Sequence, residues 1–233
     1  MYRSIVLASA LCAALSMGST PSLAQKAKDT LRVATTEPFK YVDGYYFPTP
    51  EGNFVTDEVY DGLIRYDVAK KSFVPWLAKS FRRVDDVTLE FVLRDDVKFH
   101  NGNPGTAEDV VYIATWLLDP KLKLPFPSRF RFLDKVEKTG PATVRFTSKQ
   151  PYAMDLAFIA QNMWVLDSRL HRPLDDKSLY GRRTPIGSGA MKVVEFTADG
   201  TVSLARNDAH AVGPKAPISA VRMLPIPEQQ TQI

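Results

Sequence analysis

The residues with the most chemical potential lie close together. Residues 97–111 read V-K-F-H-N-G-N-P-G-T-A-E-D-V-V and hold His100, two glycines and the adjacent carboxylates Glu108 and Asp109. A histidine near a carboxylate and a serine is the material of a hydrolase, and Gly187-Ser188-Gly189 offers a serine on a tight turn. Nucleophilic catalysis needs a base within hydrogen-bond reach of the hydroxyl and a third group orienting the base. An exported hydrolase using His100, Ser188 and Asp109 is therefore one reading, and it requires the three to converge. Against it, the glycines follow neither phosphate-cradling pattern, and no G-x-S-x-G surrounds Ser188. The other histidines, His171 and His210, have no metal-ligand spacing with His100. We expect no catalytic residue, no metal site and no cofactor.

The elements around these residues give them a plainer task. Asn101-Gly102 is a favoured turn pair, flanked by Val97 and Phe99. Thr106 stands where a helix cap belongs, with Asp109 three residues on, so both carboxylates suit the positive helix end. The helix that follows would bury Val110, Ala114, Leu117 and Leu118. Only His100 is left without an assignment.

The same reasoning organises the rest of the chain. Met1-Tyr-Arg3, an apolar run over 5–17 and Ser22-x-Ala24 predict a cleavable export signal over 1–24. Its removal takes away the only cysteine, so the mature chain relies on its core instead of disulfides. It also takes away Arg3, moving the net charge from +4 to +3, too little to imply nucleic acid. The nearest basic cluster, Arg129-Phe130-Arg131, reads as a solvated face. At 45% hydrophobic and 24% charged, the composition is that of an ordinary globular protein.

A strand is predicted over 31–35. Residues 37–53, rich in Pro, Gly and aromatics, are predicted to form a long loop, of the kind that often carries function. Asn53 or Thr56 would cap a helix with a stripe of Val55, Val59, Leu63 and Ile64. Val87–Arg94 alternates as a strand, with Asp85-Asp86 and Asp95-Asp96 as turn residues at its ends. Further hairpins surround Thr139-Gly140 and Ala198-Asp199-Gly200, and 218–226 reads as a last strand.

Four segments in order carry a resemblance. D-E-V-Y-D-G-L-I-R-Y-D (57–67), V-P-W-L-A-K-S-F (74–81), L-E-F-V-L-R-D-D-V-K-F-H-N-G-N-P-G-T-A-E-D-V-V-Y (89–112) and P-I-G-S-G-A-M-K-V-V-E-F (185–196) resemble the extracellular solute-binding proteins of peptide/nickel-type ABC importers, family 5. The likeness covers most of 30–228. It departs at Gly105, where an apolar residue is usual, and at Ala190-Met191, where Pro-aromatic is usual.

The resemblance implies an α/β fold of the type II periplasmic-binding-protein kind, with ligand held between two lobes. It implies that this chain supplies the first lobe only: 25–67 and 184–233 as core segments, and 68–183 as a hairpin-rich subdomain. The second lobe would be absent and the chain truncated, so a non-functional fragment is a further reading. It implies a periplasmic, monomeric carrier for a peptide or related small solute, contacting the membrane only through ABC permease subunits. Candidate ligand contacts are Thr36, Glu37, Tyr45, Tyr46, Phe47, Asn162, Met163 and Trp164. For the tyrosines and Trp164, core packing is the alternative role.

Overall fold

A computed structural model describes residues 29–183 and 185–226. The expected export signal and the last residues, 227–233, lie outside them. Among the described residues three sheets share one hydrophobic core.

The first sheet gathers strands from the two ends of the chain in the order β1-β10-β9-β8. Strand β1 (Thr30–Thr35) runs parallel to β10 (Ala220–Pro225). Strands β8 (Met191–Phe196) and β9 (Val202–Arg206) form an antiparallel hairpin, with Gly200 at φ +84° supplying the left-handed turn residue. Next, β2 (Ile64–Asp67) and β3 (Ser72–Pro75) make a small hairpin, and the expected 67/68 boundary falls in its turn. The third sheet draws all its strands from the middle of the chain, in the order β4-β5-β7-β6. These are β4 (Ala78–Arg83), β5 (Thr88–Leu93), β6 (Leu133–Lys138) and β7 (Thr143–Ser148). Leu89, Phe91 and Leu93 of β5 are buried, as the alternation requires. Asp85 accepts from the Val87 N–H at 2.9 Å in the β4–β5 turn.

Helix α1 (Pro50–Val59) begins earlier than the sequence suggests. Thr49, not Asn53 or Thr56, is the cap, and its hydroxyl accepts from the Gly52 N–H at 3.0 Å. Pro-Glu-Gly-Asn reads as a turn, but proline is favoured in the first helical turn, where its missing N–H costs nothing. The helix also stops sooner. Tyr60 is extended, so Leu63 and Ile64 are buried from the following segment instead of from a helical stripe.

Helix α2 (Ala107–Leu117) is capped at Thr106 as its spacing predicts. The Thr106 N–H and hydroxyl both donate to Asp109 at 2.8 Å. Its buried face is Val110, Ile113, Ala114 and Leu117, while Leu118 is half-buried at the helix end. Helix α3 (Asp155–Asn162) packs on the β2–β3 hairpin. Two single-turn helices, α4 (Ser168–His171) and α5 (Tyr180–Arg183), close the middle of the chain. Among the described residues no helix is long and apolar enough to cross a membrane.

Candidate functional site

The loop between β1 and α1 carries most of the candidate contacts, and it is organised around Tyr45. This ring meets Trp116 and Trp164 edge-on, both at 5.4 Å, and Phe130 at 6.4 Å. Its hydroxyl donates to the Trp164 carbonyl at 2.7 Å and accepts from the Trp164 N–H at 3.0 Å. The Trp164 indole N–H donates in turn to Asp57 at 2.9 Å. Gly44 permits this approach, since a Cβ there would lie 2.6 Å from the Trp164 ring. Met163 is buried beside Trp164.

The eight sequence-derived candidates therefore divide by exposure. Tyr45, Met163 and Trp164 are 5%, 2% and 5% exposed, so in this structure they pack in the core. Tyr46 and Phe47 are half-buried, Tyr46 between Tyr41 and Trp116 and Phe47 against Phe39. Asn162 is half-buried with its amide donating to the Phe158 carbonyl. Thr36 and Glu37 are exposed just beyond β1, where the Glu37 carbonyl accepts from the Thr35 hydroxyl.

Three contributors have no signature in the sequence pattern. Trp116 lies on the flank of the buried α2 stripe and joins Tyr45 to Tyr46. Beside it, a groove of ≈ 770 Å³ runs between α2, β6 and residues 172–177, lined by Tyr112, Trp116, Val136 and Arg172. Asp43 is 2% exposed and accepts from the Tyr45 N–H at 2.7 Å, while its other oxygen has no partner among the described residues. Burial pushes its carboxyl up to about 7, against the pull of the Tyr45 and Tyr46 N–H groups. His171, buried behind Trp116, has Nδ1 2.8 Å from the Tyr112 hydroxyl. Burial, then the charge of Lys177, brings its imidazole down to about 4.

The opening stretch proves to be a clamp. The His100 N–H donates to the Gly187 carbonyl at 2.7 Å. Its ring Nδ1 accepts from the Gly187 N–H at 3.3 Å, and Nε2 stands 3.1 Å from the Gly189 carbonyl. That pattern fixes the tautomer with the proton on Nε2. Asn101 and Asn103 both donate to Asp167, at 3.0 and 2.7 Å.

The hydrolase reading fails on this geometry. Both His100 nitrogens are taken by backbone, and Ser188 donates to Asp61 at 3.0 Å. Asp109 is held by Thr106 and by Ser168, 2.6 Å away. Asp61 also accepts from His210 and Trp76, so a carboxylate and not an imidazole is the shared centre. Burial alone would raise Asp61, but its donors hold the carboxyl below the usual range.

Comparison with known proteins agrees with the geometry. The family description "Bacterial extracellular solute-binding proteins, family 5 Middle" matches residues 72–233. The nickel-binding periplasmic protein of Escherichia coli K12 is 28% identical over 188 residues, 79% of this chain and 35% of that protein. The oligopeptide-binding protein AppA of Bacillus subtilis, solved with a nonapeptide, superposes with TM-score 0.77 at 24% identity, over 87% of this chain and 41% of that one. NikZ of Campylobacter jejuni, solved with Ni(L-His), gives TM-score 0.75 at 26% identity, over 85% and 39%. The chain thus spans between about a third and two-fifths of the length of these relatives. The shared architecture is the α/β type II periplasmic-binding-protein fold, of which the described residues correspond to part of one lobe.

Proposed function

Because the chain belongs to the bacterial extracellular solute-binding proteins of family 5, we propose that it is the solute-binding component of an ABC importer. It would bind a peptide, a nickel chelate or a related small solute in a cleft between lobes and deliver it to a membrane permease. The observation that supports this most is the loop of residues 36–47 anchored on Trp164. The paired Tyr45 and Trp164 form an aromatic base; Tyr46 and Phe47 follow Tyr45 on its loop and Asn162 precedes Trp164 by two residues, all three part-exposed. Pre-ordering of this kind lowers the entropy lost on binding. In this reading Thr36, Glu37, Tyr46, Phe47 and Asn162 touch solute, and Tyr45, Met163 and Trp164 hold them in place.

The protein works in the periplasm, as a monomer, without covalent chemistry. Closure follows from a solute's greater affinity for the shut state. Among the described residues no three His, Cys, Asp or Glu side chains group as a metal would need. A thermal-shift panel of di- to nonapeptides, opines and nickel–histidine, run on a chain that carries both lobes, tests the reading. At least one member should raise the melting temperature in a concentration-dependent way, and a flat panel would count against it.

A further inference from the structure

The side chains assigned to the solute so far offer aromatic faces, an amide, a hydroxyl and a carboxylate, but no cation. The loop leaving α2 supplies four. Between Asp119 and Asp134 the chain carries Lys121, Lys123, Arg129 and Arg131 and no acid. None of the four forms an ion pair among the described residues. Arg129 is the distinctive one. It is half-buried, with its guanidinium carbon 4.6 Å from the centre of the Phe126 ring, and Phe126 is 49% exposed. Burial draws its basicity below the usual arginine value with no carboxylate nearby to compensate. The adjacent Phe130 is buried and meets Tyr45, so the loop is fastened to the aromatic base. Pro125 and Pro127 restrict the backbone on either side of Phe126.

We propose that Arg129 is the anion anchor of the solute site and that the solute presents a carboxylate to it, an inference that rests on the carrier reading above. A guanidinium seated over a ring retains N–H donors for bidentate pairing. Lys121, Lys123 and Arg131 add a positive field that draws in anionic solutes and excludes cationic ones.

The test uses the chain together with the second lobe that completes the cleft, and reads tryptophan fluorescence, since Trp116 and Trp164 both abut Tyr45. The probes are trialanine, trialaninamide and succinate. Trialanine should bind at least about tenfold more tightly than its amide, the loss expected of one charge-assisted hydrogen bond. Arg129→Gln should remove that difference, Arg129→Lys should restore part of it, and Lys79→Gln, on exposed β4, should leave it intact. Circular dichroism and the melting temperature confirm that each variant is folded. Equal binding of acid and amide overturns the proposal, as does unchanged affinity in Arg129→Gln. So does the absence of saturable binding by both carboxylate probes up to about 20 mM, weaker than any useful anchor. A panel solute that stabilises wild type and Arg129→Gln equally removes the anchor and leaves the carrier reading standing. A flat panel removes the carrier reading itself.

Discussion

One hydroxyl of Tyr45 satisfies both backbone groups of Trp164, donating to its carbonyl at 2.7 Å and accepting from its N–H at 3.0 Å. The two residues are 119 apart in sequence, so this contact fastens the loop before α1 to the segment after α3. It turns the aromatic residues into a fixed base beneath the part-exposed ones.

Tyr45→Phe keeps the ring and removes the hydroxyl. Two buried backbone groups then lose their partner, which costs roughly 2–4 kcal/mol. Urea unfolding should show that loss, and a change within 0.5 kcal/mol, roughly the scatter of neutral surface substitutions, would contradict the pairing.

Asp43 makes stability fall as pH rises. Its carboxyl stays protonated in the folded state to about 7, whereas the unfolded chain releases that proton near 3.9. Ionisation therefore favours unfolding between about pH 4 and pH 7, and the loss is complete above the folded value, at several kcal/mol. Asp43→Asn imitates the neutral acid. It should match wild type near pH 4 and exceed it above pH 7; parallel pH profiles would refute the assignment.

His171 acts in the opposite direction. Its folded imidazole protonates only at about 4, while the unfolded one does so near 6.5. Its contribution to stability should be full above about pH 6.5 and fall by up to roughly 3 kcal/mol as pH drops to 4. His171→Phe should flatten that acid limb in denaturant titrations.

His100→Ala should leave the Gly187 N–H without its partner and cost about 1–3 kcal/mol, while the Gly189 carbonyl keeps the Asn207 amide at 2.9 Å. The expected signature is faster hydrogen exchange at Gly187, while the Gly189 amide, bonded to the Val59 carbonyl, and the β5 amides stay protected.

Gly105 lines a cavity of ≈ 10 Å³ with Leu77, Val97, Phe99 and Val165. A Cβ there would sit 3.0 Å from the Val97 side chain, which has that cavity to move into. Gly105→Ala should therefore stabilise by about 0.4–1 kcal/mol, chiefly through the unfolded chain. A clear loss in the urea midpoint would show that Val97 cannot give way.

Legibility in the sequence followed locality. The Gly200 turn, the alternation of β5 and the Thr106 cap each depend on a few neighbouring residues, and each was readable. Thr49 was missed because Pro50 and Gly52 look like turn formers, although one suits a helix start and the other the close approach of Phe47. The partners of Asp61 were beyond reach: Ser188 lies 127 residues away and His210 149. Trp116 escaped because it flanks the helical stripe instead of belonging to it. His100 could be questioned from sequence but not answered, since its partners are backbone atoms of a turn 87 and 89 residues on.

The central claim is that solute binds over the part-exposed residues of this aromatic base. Calorimetric titration of the best solute from the thermal panel into wild type, Tyr46→Ala and Asn162→Ala tests it most directly. The account predicts one saturable site whose affinity falls at least about tenfold in each variant, about 1.4 kcal/mol or more. No heat from any solute, or affinities untouched by both substitutions, would contradict it.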